Sequence, residues 1–186
     1  MTPPSPGRLV IVSGPSGAGK GTVVRGLLAR RPETILSVSA TTRAPRPGER
    51  NGTDYRFLSE ESFRSLAEIG ELLEWAEVYG HLYGTPRRPV EDALAAGHDV
   101  VLEVDIQGAL QVRESLPEAV LVFIKPPSLE ELEARLARRG TEDAGTLAQR
   151  SEAARGELEH ADAYDYVIVN ESADDAVGEL LRILDG

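Results

Sequence analysis

The 186 residues contain no cysteine. Disulfides and thiolate metal sites are therefore excluded, and a chain of this length has to bury a core of its own to be stable. Long apolar stretches are missing too. The longest unbroken run, Ala119 to Ile124, is far short of the roughly 18 to 20 residues that a membrane-spanning helix needs. The opening residues MTPPSPG have neither a basic start nor an apolar stretch, so no targeting segment is expected and residues 1–7 read as a disordered tail. The lack of cysteine suits a cytoplasmic protein. Basic residues are scarce as well, 20 against 31 acids for a net charge of -11, which argues against general nucleic-acid binding because that affinity comes from clustered Lys and Arg. Neither nucleic acid nor a membrane is an expected partner, and monomer and homodimer are both open.

The acidity is uneven. Residues 1–60 carry nine bases and four acids, or +5, and the remainder carries -16. Eighteen of the 20 bases are arginine, and the lysines are Lys20 and Lys125. Genome composition or heat adaptation would account for the bias. It would not account for where Lys20 stands, and a compact point charge is one reason to keep lysine at a particular place.

No repeat or low-complexity block is present beyond the proline-rich start, so one compact domain over 8–186 is expected. Leu9–Val12 reads as a strand, Ser13–Gly19 as a glycine-rich loop, and Thr22–Arg31 as a helix ended by Pro32. Ile35–Ser39 reads as a second strand, and Ala44–Asp54, crowded with Pro, Gly, Asn and Asp, as loop. Ser59 caps a helix running to about Ile69. Leu72–Val78 and His81–Gly84 suggest a small antiparallel patch, followed by a helix over Arg88–Ala96. Val100–Asp105 (VVLEVD) and Val120–Ile124 read as core strands flanking a helix at Gly108–Ser115. Ser128 with Glu131 forms a capping box for a helix to Arg138. A helix over Leu147–His160, a strand at Tyr166–Val169 and a terminal helix opened by Ser172 complete the chain. Alternating strands and helices imply an α/β protein, a central parallel sheet covered on both faces, with an inserted lobe where strands follow one another between Ile35 and Tyr83.

Gly14-Pro15-Ser16-Gly17-Ala18-Gly19-Lys20 fits the frame G-x-x-x-x-G-K between a strand and a helix, the context in which that pattern cradles nucleotide phosphates. Glycines let successive N–H groups turn inward, the helix N-terminus adds its positive end, and Lys20 supplies a charge for the distal phosphates. The position after the lysine is Gly21 rather than Ser or Thr, with the hydroxyl displaced to Thr22, so the usual hydroxyl ligand for Mg²⁺ is in doubt. Asp105, at the end of VVLEVD with Glu103 on the same strand face, is the candidate acid for Mg²⁺, directly or through water. Asp105-Ile106-Gln107-Gly108 also matches the D-x-x-G of GTPases, but no N-K-x-D guanine-reading motif occurs.

Ser37–Tyr55 gathers hydroxyls and arginines. Arg43, Arg46 and Tyr55 there could chelate a phosphate dianion, since guanidinium forks suit its oxygens, although taken alone they could equally be a solvated loop. The series SGPSGAGKGT, SVSATTRAPRPGERNGTDY, ELLEWAEVYGHLYGTPR, VVLEVDIQGALQVR and RLARRGT, in that order and over nearly the whole chain, resembles guanylate kinase, the family that phosphorylates GMP from ATP. The resemblance implies a P-loop three-layer fold with a core at about 8–33 and 98–186, a mixed or antiparallel GMP-binding lobe at about 34–90, and a helical lid at about 135–155. It places Ser39, Arg43, Arg46, Tyr55 and Tyr83 at the GMP phosphate, and Glu74 on guanine, whose N1–H and exocyclic amine one carboxylate accepts together. Ser39 and Thr85 would address the other guanine edge. Glu103 and Asp105 would stand beside acceptor and metal, Arg135, Arg139 and Arg150 around the transferring phosphoryl group, and Asn170 with Gly14–Thr22 on the ATP side. Without the resemblance those three arginines read as a salt-bridged helix surface. ATP and Mg²⁺ are the implied cofactors. The rival readings are a non-catalytic binding module on the same fold, a kinase for another monophosphate, and a GTPase.

Overall fold

A computed structural model of the protein describes residues 5–138 and 152–186. Strand β1 (Leu9–Ser13) is buried at every position, as expected for an apolar run covered on both faces. It pairs in parallel with β7 (Val100–Glu103) on one side and β8 (Val120–Lys125) on the other, so that Val10 lies between Val101 and Val120. β2 (Ile35–Leu36) extends the sheet beyond β7 and β9 (Tyr166–Val169) beyond β8, all parallel. All the carboxyl ends of these strands therefore face the same edge.

The two faces of this sheet are covered by different helices. On one, α1 (Lys20–Arg30) and the C-terminal helix (Ala173–Asp185) pack Val23, Val24, Leu27, Val177 and Leu180 onto Val10 and Val12. On the other, α3 (Arg87–Ala95) and α4 (Ile106–Ser115) pack Val90, Ile106, Ala109 and Val112 onto Ile11, Leu102 and Phe123. α5 (Leu129–Arg138) buries Leu132 against Ala154. Residues 152–158 are helical and pass into a 3-10 turn, Glu159–Ala163. Among the described residues no helix is long and apolar enough to cross a membrane.

A second, mixed sheet has the order β4-β3-β6-β5. Its strands are β3 (Ala40–Thr41), β4 (Arg56–Phe57), β5 (Leu72–Val78) and β6 (His81–Pro86). β3 and β4 are parallel, whereas β6 is antiparallel to both of its neighbours. α2 (Glu60–Glu68) covers it with Phe63, fully buried among Ala40, Leu72 and Leu82. β5 serves both hydrophobic cores, because Leu72 joins this small cluster while Leu73 packs with Ile106 and Ala109.

The expected capping residues hold their helices. Ser59 accepts from Ser62 N at 3.1 Å, Ser128 from Glu131 N at 3.1 Å and Ser172 from Asp175 N at 3.1 Å. Three expectations need correction. The strand read at Ile35–Ser39 stops at Leu36, and the chain re-enters strand at Ala40 in the other sheet, beside a two-residue β4 too short to carry a periodic signal. Asp105 is not a strand residue, since β7 ends at Glu103 and Asp105 is the N-cap of α4, accepting from Gly108 N at 2.8 Å. The helix expected to end at His160 gives way to 3-10 geometry running on to Ala163, and its expected start at Leu147 lies outside the described residues.

At the edge of the sheet where β1 begins, Arg31 meets Asp99 at 2.8 Å, Asp185 at 2.6 Å and Glu33 at 3.3 Å. Arg8 donates there to the carbonyls of Ile183 and Leu184, and Gly7 N donates to Leu94 O. Truncating Leu27, fully buried where α1 meets the C-terminal helix, is expected to cost about 2–5 kcal/mol. Urea unfolding of Leu27→Ala checks this, and a midpoint equal to that of the parent would show that α1 does not anchor the core.

Candidate functional site

The glycine-rich loop leaves β1 and turns directly into α1. Gly19, the N-cap of α1, has φ +93°, and a Cβ there would stand 2.4 Å from Asn170 Nδ2. Both the left-handed backbone and the crowding require glycine. Asn170, which is buried, donates from Nδ2 to Ala18 O at 2.8 Å. Arg135 donates to the same carbonyl at 3.4 Å, to Asn170 O at 3.1 Å and, through Nε, to Glu131 at 3.0 Å. The loop is thus held from outside by groups on β9's exit and on α5.

Lys20 Nζ folds back onto the loop, donating to Gly14 O at 2.6 Å and Pro15 O at 3.1 Å. Ser16 N donates to Glu157 Oε2 at 3.3 Å, so a carboxylate meets one of the loop amides. Beside the loop opens a cavity of about 330 Å³ lined by Gly17, Gly19, Thr22, Arg135, Asn170 and Glu171.

A second cleft, about 220 Å³, is lined from both sheets, by Ser39, Tyr55, Glu74, Tyr83, Glu103 and Asp105 among others. Glu74 is 8% exposed. Thr85 Oγ1 donates to its Oε1 at 2.6 Å, and its Oε2 faces Gly108, where a Cβ would come within 2.9 Å. Burial pushes the Glu74 carboxyl up to about 7, opposed by the Thr85 hydrogen bond and reinforced by the charge of Asp105. The Glu103 carboxylate lies 3.3 and 3.5 Å from the place a Cβ would take on Gly21, so the acidic end of β7 faces the first turn of α1. The glycine-rich loop and a small acid-rimmed cleft are therefore brought to the same edge of the sheet.

Residues 6–186 match the family model described as guanylate kinase. The chain belongs to the guanylate kinase family. A guanylate kinase of Nocardia farcinica is 55% identical over 179 residues, covering 95% of this chain and 93% of its own length. One from Bordetella pertussis is 50% identical over 184 residues, 99% of this chain and 85% of that one. The crystal structure of guanylate kinase from Anaplasma phagocytophilum superposes with a TM-score of 0.77 at 39% identity, covering 97% of this chain and 86% of that chain.

The expected residues fall into three groups. Ser39, Tyr55, Glu74, Tyr83, Glu103 and Asp105 meet at the cleft, with Thr85 behind Glu74. Gly17, Gly19, Thr22, Arg135 and Asn170 meet at the cavity beside the loop. Arg43 and Arg46 stand outside the cleft's lining, tied to one carboxylate: both Arg43 terminal nitrogens bond Glu49, at 3.0 and 2.9 Å, and Arg46 N donates to it at 2.6 Å. The Arg43 guanidinium also lies 5.4 Å from the Tyr55 ring centre. These bonds hold the Glu49 carboxyl below its ordinary range, Arg43 contributing most. Arg139 and Arg150 lie outside the described residues. Sequence reasoning missed Glu157, whose approach to Ser16 spans 141 residues, and it missed Gly108 and Gln111 as site residues. The regular spacing Asp105, Gly108, Gln111 on one helix is the signal that could have drawn attention to the last two.

A carboxyl raised from 4.5 to about 7 binds a proton in the folded protein that the unfolded chain has already lost. The ligand-free protein should accordingly lose stability as pH rises from 4.5 towards 7, on the order of 1–3 kcal/mol from this group. Glu74→Gln should flatten that part of the stability profile in urea titrations at several pH values. Parallel profiles for parent and variant would show that Glu74 does not titrate in this window.

Proposed function

We propose a division of labour for the reaction of this family, ATP-dependent phosphorylation of GMP to GDP. ATP lies along the phosphate loop, with the Gly14–Thr22 amides and Lys20 on its phosphates and Asn170 and Arg135 beside it. GMP occupies the acid-rimmed cleft. Glu74, ionised, accepts guanine N1–H and the exocyclic amine together, a pair of donors that adenine lacks at the same edge. Ser39, Arg43, Arg46, Tyr55 and Tyr83 hold the GMP phosphate. The observation that carries this reading is Glu74, a buried carboxylate with one oxygen held by Thr85, facing a cleft that shares its rim acids with the first turn after the phosphate loop.

The acceptor needs no general base, since a phosphate monoester loses its second proton with a pKa of about 6 and is already a nucleophilic dianion near neutrality. Catalysis then reduces to positioning and charge neutralisation of an in-line transfer. Lys20 and Arg135 neutralise the transferring group, a role shared by Arg139 and Arg150, which lie outside the described residues, and closure of the lobe at 34–90 over the substrates excludes water.

Magnesium fits this donor set as a largely hydrated ion. Gly21 offers no hydroxyl, Thr22 Oγ1 accepts from Arg25 at 3.2 Å, and among the described residues no group of three or more His, Cys, Asp or Glu could cage a metal. Exposed Glu103 and Asp105 are the residues that would hold it, through water as well as directly. Its contribution is to neutralise phosphate charge. Membership of the family supports a place in purine nucleotide metabolism, and the net charge of -11 speaks against a nucleic-acid partner.

An ADP-release assay with ATP and a panel of monophosphates tests the reading. Turnover with AMP or UMP equal to that with GMP would sink the specificity, and no turnover with any of them would favour a non-catalytic binding module. Lys20→Met should lose at least about a hundredfold in kcat while keeping GMP affinity by calorimetry. Loss of GMP binding in that variant would show that the two sites are not separate. Glu74→Gln should weaken GMP about 10- to 100-fold with ATP affinity unchanged, because an amide cannot accept both guanine donors; equal weakening of the two substrates would take Glu74 out of the base pocket.

A further inference from the structure

β5 is the outermost strand of the small sheet, after β6. An outer strand has backbone N–H and C=O groups along one side with no neighbouring strand to meet them. At Trp75 those groups are met by a side chain from α4, a helix that covers the parallel sheet. Trp75 N donates to Gln111 Oε1 at 3.1 Å, and Gln111 Nε2 donates to Trp75 O at 3.2 Å. A carboxamide with one donor and one acceptor reproduces the pair of bonds that a further strand would make.

Gln111 sits on α4, two three-residue steps after its N-cap. Asp105, Gly108 and Gln111 line one side of that helix, and each faces the stretch around Glu74. Asp105 contributes charge to the Glu74 carboxyl, Gly108 gives its Oε2 room that any side chain would take, and Gln111 grips the next residue's backbone. Leu73, on the other side of Glu74, is buried against Ile106 and Ala109 of the same helix. Glu74 is therefore fixed twice, its side chain by Thr85 and its backbone by α4. The arginines at 43 and 46, by contrast, hang on a loop tied to Glu49 with no bond to α4 among the described residues.

We infer that Gln111 is a positioning residue for guanine specificity, holding the strand that carries Glu74 in register against α4 by replacing the missing strand neighbour at Trp75. This rests on Glu74 as the reader of guanine. It divides the GMP site in two. Base reading is coupled to the core helix that also presents Asp105, whereas phosphate binding is coupled to the loop held by Glu49. Loosening Gln111 should blur the reading of the base and leave the grip on the phosphates of both nucleotides intact.

The test compares GMP with IMP, whose hypoxanthine keeps N1–H and lacks the exocyclic amine. Gln111→Met preserves length and removes both bonds. It is expected to raise the KM for GMP about 5- to 20-fold, to lower the ratio of kcat/KM for GMP over IMP, and to leave the KM for ATP unchanged. A structural role alone would lower both monophosphates equally and leave the ratio at its parental value, which would overturn the inference. Glu74→Gln, measured in parallel, separates the two claims: a parental ratio in Glu74→Gln removes the base reader itself, whereas a lowered ratio there with a parental ratio in Gln111→Met removes only the role of Gln111. Should Gln111→Met fail to fold, Gln111→Glu keeps the acceptor for Trp75 N–H and loses the donor. Its ratio is expected between those of parent and Glu74→Gln, and a parental ratio overturns the inference as well.

Discussion

Parallel pairing of β1 between β7 and β8 is the constraint from which the rest of the structure follows. Strands that run the same way end at the same edge, and ligands of open parallel sheets bind outside those ends. Here the edge receives the phosphate loop from β1, Glu103 and the Asp105 turn from β7, and Asn170 from β9. Residues far apart in sequence thus become neighbours without any of them having to reach. Asn170 meets Ala18 across 152 positions through one short side chain. A one-residue slip of β1 would turn Val10 and Val12 to the wrong face and break both cores together.

The elements that were legible in the sequence are those whose signal is local. A short apolar strand, a glycine-rich turn and serines that close a helix start each announce themselves within a few residues: β1 runs one residue past the Val12 expected for it, Gly19 closes the loop, and Ser59, Ser128 and Ser172 stand as read. Of the candidate site, Asp105 and Glu103 were marked by their place after an apolar strand and Glu74 by the family resemblance, and the three line one cleft. What escaped was non-local or too short. β3 and β4 are two residues each and pair in parallel, which no periodicity can disclose. Asp105 looked like the last residue of a strand because VVLEVD alternates on beyond Glu103, whereas its oxygen is used to start a helix. Gln111 lies inside the quoted VVLEVDIQGALQVR, but its contact is not local, since its bonds reach the outward backbone of Trp75, 36 residues away.

Acidity overall and cationic sites locally are reconciled by pairing. Arg43 and Arg135 each have a carboxylate within hydrogen-bond reach, Glu49 and Glu131. Such pairs contribute only about 0–1 kcal/mol where solvent reaches them. In the proposed reading each of these arginines would exchange its carboxylate for a substrate phosphate. The buried end of the site obeys the opposite rule. Glu74, with hardly any water, holds its proton up to about 7, and in the proposed reading two aligned donors of guanine would favour its charged form.

The clasp formed by Arg8, Arg31, Asp99 and the last turn of the C-terminal helix has a consequence for handling the molecule. It lies where β1 begins, and the phosphate loop lies where β1 ends. Anchoring the protein by a linker or a surface at residues 5–8 or 186 would therefore point both nucleotide pockets outward into solution. An immobilised preparation made in that orientation would leave the reacting edge open, and the crosslink would be separated from it by the full length of the central strand.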